Sequence, residues 1–223
     1  SQFVKTDGSL GTIGDVFFTY FKDGDATFIM GAHGEAVGID LDGNGVAITN
    51  LSVSGVSFDM ADSGTALPTA WVGAGDAMLA VDLNANGLID TGSELALGSQ
   101  NLGLSSLQSF DGNNDGRVDG NDSRFDELLL WQDINQDGVS QTHELKNLTQ
   151  AGISALVMSG QSAPFTIGTG ESRIIDTMTV EFVNGSAGSA SNLMLAYQDI
   201  QVAPPVVLDF DDEGLLVKHL GAE

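Results

Sequence analysis

Two stretches constrain this chain more than anything else in it: DGNNDGRVDGND from Asp111 to Asp122, and DINQDGVSQTHE from Asp133 to Glu144. In the second, Asp133, Asn135 and Asp137 hold positions 1, 3 and 5, and Gly138 holds position 6, where the chain must turn sharply. Val139 offers its carbonyl at position 7, Gln141 or a water serves position 9, and Glu144 closes the loop at 12. The first stretch repeats the pattern with Asp111, Asn113, Asp115 and Gly116, the carbonyl of Arg117, then Asp119 at 9 and Asp122 at 12. Runs of Asp, Asn and Gly are also ordinary turn chemistry. Two of them in register point instead to a cage of hard oxygens, which is what calcium requires.

The spacing is that of an EF-hand loop. Further copies lie upstream. Asp82, Asn84, Asn86 and Gly87, the carbonyl of Leu88, and Asp90 form one, with its closing acid a place late at Glu94. Its two Asn lower the ligand charge, so weaker binding than in Asp133–Glu144 is expected. Asp40, Asp42, Asn44 and Gly45 form another. Its position 12 is Leu51, which cannot ligate, so Asp59 or Asp62 is expected to supply the missing oxygen.

Leu104, Leu107 and Phe110 read as a short helix entering the Asp111 loop. Phe125, Leu128 and Leu129 read as the apolar stripe of a connecting helix, capped by Asp122 or Ser123. Loops beginning at 111 and 133 leave room for one short helix between them, which suits a structural calcium unit rather than an opening sensor. Val16–Phe21 and Ala26–Met30 predict a hairpin. Ile153–Met158, Thr177–Phe182 and Leu193–Val202 predict strands. Val207–Gly214 echoes Gly38–Gly45 after the Ala203-Pro204-Pro205 break.

The expected fold class is α+β: a sheet or small sandwich of N- and C-terminal strands around central EF-hand-like loops with short helices. One calcium-dependent module is expected over 1–205. Within it, 1–36 is a β hairpin, 37–158 the calcium-loop region and 159–205 a second hairpin. Residues 206–223 close the sheet or begin the next module.

Charge narrows the function. Thirty-one acids against seven Lys and Arg give a formal net charge of −24. That excludes nucleic acid and anionic membrane surfaces as partners, and couples folding to cation binding. Cysteine is absent, compatible with an extracellular protein stabilised by calcium. No apolar run reaches membrane-spanning length, so no membrane insertion is expected. The start at Ser1, with no leader, suggests a fragment of a longer chain. His33, His143 and His219 are scattered, and no nucleophile has a recognisable setting, so no enzyme is expected.

The segments IDLDGNGVAIT, AWVGAGDAMLAVDLNANGLIDTGSELALG and FDGNNDGRVDGNDSRFDELLLWQDINQDGVSQTHELKNLTQAGIS resemble a calcium-binding module of bacterial RTX proteins, over Val37 to Met158. This module type occurs in the RTX self-processing module and in large RTX adhesins. The resemblance implies type I secretion, folding in external calcium, and a secreted or cell-surface location. It also implies neighbouring modules in one long chain. The self-processing members cut an Asp-Pro bond ahead of the first acidic loop. Glu35-Ala36 stands there, and no Asp-Pro pair occurs in the chain, so autoproteolysis is disfavoured. The flanking strands resemble those of adhesin ligand-binding modules, including the peptide-binding type. The expected function is therefore cell adhesion by a monomeric calcium-dependent module that binds a peptide or glycan on a target surface. A structural spacer is the alternative.

Overall fold

The computed structural model describes residues 2–4, 10–12, 17–19, 27–29, 31–95, 97, 104–161, 166–167, 172–198, 208–210 and 216–218. The chain divides into two compact units, one of Ser1–Ala32 with Gln198–Glu223 and one of His33–Tyr197. Within the first, Gln2–Val4 pairs with Leu10–Thr12, Phe17–Thr19 with Thr27–Ile29, and Leu208–Phe210 with Leu216–Lys218, each antiparallel. The rest of the expected N-terminal hairpin and most of the C-terminal echo lie outside the described residues.

The second unit is built on a nine-stranded sheet. Its strands are β1 (Gly31–Ile39), β2 (Ala77–Val81), β3 (Arg117–Asp119), β4 (Leu128–Trp131), β5 (Leu145–Asn147), β6 (Ile153–Gln161), β7 (Thr166–Ile167), β8 (Arg173–Phe182) and β9 (Ala187–Gln198). They lie in the order β3-β6-β8-β9-β1-β2-β4-β5, with β7 also beside β8. The β1–β2, β2–β4, β4–β5, β3–β6, β6–β8 and β8–β9 pairs are antiparallel.

β2 reads Ala-Met-Leu-Ala-Val and is buried throughout, as a strand covered on both faces must be. Alternation divides its side chains. Leu79 and Val81 join Val37, Ile39, Leu128 and Leu130 in a core that also takes Leu107, Phe110, Val118 and Phe125 from the loop region. Met78 pairs with Trp131 and so faces the other way. On that side Trp131 packs on Trp71 and Phe58. A Cβ on Gly38 would meet Val46 and Leu193, so the segment after the first loop also packs closely there.

Four expectations fail. The fold is mainly β rather than α+β: among the described residues the α-helices are Leu51–Ser54, Gly92–Leu95 and Leu104–Leu107, four residues each. Nor is the sheet made only of terminal strands around the loops, since β2, β3, β4 and β5 come from the loop region itself. The connecting helix is absent. Phe125–Glu127 is a single 3₁₀ turn, and Leu128–Trp131 is a strand held between β2 and β5. Its apolar run is short enough to suit either element, and backbone partners on both sides decide for strand. The helix caps fail with it, because the Asp122 side chain serves its own loop. No helix among the described residues is long and apolar enough to cross a membrane.

Candidate metal centre

Five loops share one hydrogen-bond frame. In each, an Asp at position 1 accepts the amide N–H of the glycine five residues on. The distances are 3.0 Å for Gly45 to Asp40, 2.6 Å for Gly64 to Asp59, 2.8 Å for Gly87 to Asp82, and 2.9 Å for both Gly116 to Asp111 and Gly138 to Asp133. The five glycines have φ between 72° and 90°, the left-handed region that L side chains avoid. That turn aims the amide inward. Each of these bonds lands on Oδ2. Oδ1 takes a second amide, from Gly43, Ser63, Asn86, Asp115 or Asp137. Such amides favour the ionised carboxylate. At Asp40 burial raises the carboxyl pKa, and the amides of Gly43, Gly45, Asn44 and Asp42 outweigh it, leaving it below the ordinary value.

The closing acids fold back over their loops. Glu94, Asp122 and Glu144 are all buried. Each accepts the amide at position 2: Leu83 at 3.2 Å, Gly112 at 2.9 Å and Ile134 at 3.1 Å. The late placement of Glu94 and the short side chain of Asp122 therefore do not prevent closure. Between the ends, Asn113 donates to Asp115 and Asn135 to Asp137, while Asn84 accepts the amide of Asn86. Asp90 accepts from the Asn86 side chain. Asp119 accepts from Asn121 and lies 3.6 Å from the Arg117 guanidinium, so it serves the neighbouring turn. Arg117 reaches across β6 to grip Glu181 with both terminal nitrogens, at 3.0 and 2.6 Å. At position 7, the Leu88 and Val139 side chains are exposed.

The tightest acidic group lies at the first loop. Carboxylate oxygens of Asp40, Asp42 and Asp76 all lie within 4.8 Å of one another, and no other trio of Asp, Glu or His among the described residues does so. The β1–β2 register explains it. Ile39 pairs with Ala77, so Asp40 and Asp76, one step beyond on each strand, meet at the same end. Asp76 accepts the amides of Ala47 at 2.8 Å and Leu41 at 3.4 Å, which ties it into the loop. Burial raises its pKa first, and repulsion from Asp42 and Asp40 adds to this, against the lowering effect of the Ala47 and Leu41 amides.

Asp76 was not among the expected ligands. Asp59 heads a loop of its own, bonding Ser63 and Gly64, and Asp62 accepts the amide of Ser93. The Asp59 loop was overlooked because Ala61 and Ser63 stand where the other loops carry Asp or Asn. A signal for Asp76 was present: an acid directly ahead of an apolar strand able to pair with the strand leading into Asp40.

Three carboxylates around one point, with amides already holding one of them ionised, fit a hard divalent cation, and the group can hold a metal ion. The loops at Asp82, Asp111 and Asp133 offer the same donor types, all oxygen, with Asn replacing some acids.

One relative is the Iron-regulated protein FrpA of Neisseria meningitidis serogroup C, 31% identical over 175 residues. The match takes in 74% of this chain and 16% of the relative. The SPM domain matches residues 37–196, from within β1 to within β9, and so takes in every loop just described. The chain belongs to the SPM domain family.

Proposed function

We propose that this chain is a calcium-ordered module of a longer bacterial protein, secreted or held at the cell surface, where it binds a peptide or glycan on a target. The observation that carries the calcium reading is the repeated frame. Inward amides hold the first carboxylate and a closing acid covers three of the loops, while three carboxylates converge at Asp40, Asp42 and Asp76. All these donors are hard oxygens, which suits calcium over softer metals. The absence of cysteine, the acidic balance and the resemblance to RTX modules support a place outside the cell. The small share of FrpA that the match occupies supports a module with neighbours in one chain.

The ligand reading draws on surface shape. An open hollow of about 640 Å³ lies beside the Asp111 loop, with Val157 and Met158 as its apolar part and Gln108, Asn114 and Arg117 as polar lining. Calcium in that loop would fix one wall of it. The role is proposed as non-catalytic.

Two measurements test this. Calorimetry of the chelated protein with calcium should show several binding steps, and a flat titration would sink the calcium reading. A peptide and glycan array, probed in calcium and again in chelator, should show a ligand that is lost with the ion. A calcium-stabilised protein that binds nothing on the array would reduce the module to a spacer.

A further inference from the structure

The loop from Asp133 to Glu144 differs from the other four in what stands behind it. Its first and last carboxylates each accept a hydrogen bond from an indole. Trp71 Nε1–H donates to Asp133 Oδ2 at 2.8 Å, and Trp131 Nε1–H donates to Glu144 Oε2 at 3.4 Å. These are the two tryptophans of the chain, and both are fully buried. Their rings meet edge-on with centroids 5.3 Å apart, and Phe58 packs on both, at 5.2 Å from Trp71 and 5.7 Å from Trp131.

A buried indole needs an acceptor, and any nearby carbonyl would serve. Here both find the two end carboxylates of one loop, from different parts of the chain. Trp71 precedes Asp133 by 62 residues, whereas Trp131 ends the strand that leads into the loop. Trp71 donates to the oxygen that Gly138 also binds, so Oδ2 accepts one bond from the aromatic side and one from the loop, while Oδ1 accepts the Asp137 amide. The same segment grips the loop again, since Gln136 Nε2 donates to the Val72 carbonyl at 3.1 Å. The loop is also seated closely: a Cβ on Gly138 would come within 2.7 Å of Val56 and 2.9 Å of the Ser57 carbonyl.

We propose that Trp71 and Trp131 are positioning residues for the Asp133–Glu144 loop. Their indole N–H groups hold its first and last carboxylates ready for a divalent cation, and the Phe58–Trp71–Trp131 trio carries the arrival of that ion into the core. This rests on the calcium reading of the loop. Donors behind a ligand fix its orientation and basicity, and losing one commonly weakens metal binding by roughly tenfold to a hundredfold.

The test uses the whole chain, ¹⁵N-labelled and stripped of metal, titrated with calcium and followed by its two indole N–H resonances, alongside calorimetry. Trp71→Phe assigns the resonances. Both should move together in a single calcium step. Glu144→Gln should abolish that step, and Asp76→Asn should leave it. Trp71→Phe should weaken the same step by roughly ten- to a hundredfold and spare the others. A purely structural tryptophan would not give a site-specific loss. Calcium heat with static indole resonances overturns the proposal while leaving the calcium reading standing. Movement that survives Glu144→Gln overturns it as well. An absence of calcium heat sinks the calcium reading and this role together. The decisive spectra come from the unsubstituted protein, so they do not depend on how well Trp71→Phe folds.

Discussion

At the level of single residues, Asp76 carries the most testable weight. It sits 36 residues after Asp40 in the chain and reaches it only through strand register. Asp76→Asn keeps one oxygen, able to accept the closer amide, that of Ala47, and removes one of three converging charges. Calorimetry should then show one calcium step lost or weakened at least tenfold, on the order of 1.4 kcal/mol. Asp59→Asn should leave that step in place, because Asp59 belongs to another loop. Equal effects from both would break the assignment. Glu181 gives a second outcome, in pH. Its side-chain bond with Arg117 lowers its folded pKa below the ordinary glutamate value of 4.5. A lowered acid binds fewer protons folded than unfolded, so its contribution is present above 4.5 and is lost as pH falls through the folded value. Urea unfolding from pH 6 to pH 3 should therefore show a shallower acid decline in Glu181→Gln than in the parent, by an amount kept small by exposure. Identical declines would mean that the pair adds nothing.

At the scale of elements, the loops were legible because their chemistry is local. A carboxylate, its inward amide and the glycine that turns it lie within six residues, so spacing alone finds Asp82, Asp111 and Asp133. What lies between the loops was not legible. Leu128 to Trp131 is apolar, and its choice of strand depends on β2 and β5, which no local pattern announces. Asp76 and the two indole donors escaped for the same reason, being non-local. The loops also differ in their seating, and two glycines separate the contributions. Gly116 has φ +83° and open space where a Cβ would go, whereas Gly138 has φ +72° and would press on Val56 and Ser57. Gly116→Ala should cost about 1 kcal/mol, the left-handed penalty partly offset by a less free unfolded chain. Gly138→Ala adds overpacking and should cost roughly 2 to 4 kcal/mol. Urea melts of both variants in calcium would check this, and equal losses would show that the Asp133 loop can back away from its neighbours.

On the scale of the whole molecule, the acids are gathered where they repel one another most. A formal charge of −24 opposes any compact state, and the loops hold much of it at fixed points. Buried closing acids worsen this, because Glu94, Asp122 and Glu144 have backbone amides as partners rather than Lys or Arg. Amides steady the carboxylates and leave their net charge in place. A bound cation removes it, and does so only in the folded state, where the ligands converge. Each site held at a hundredfold excess over its dissociation constant adds about 2.7 kcal/mol, and in a chain of this size 1 kcal/mol moves the midpoint by about 2–4 °C. Two or more filled sites should therefore raise Tm by at least about 10 °C in calcium over chelator. Screening predicts something different, since salt weakens the repulsion between exposed charges without occupying any site. Sodium chloride at matched ionic strength should recover only a small part of the rise, and magnesium, which resists losing its water, should fall between the two. A midpoint that climbs equally in sodium chloride and in calcium would mean that the loops are screened rather than filled, and that the amide frame is turn chemistry on an acidic surface.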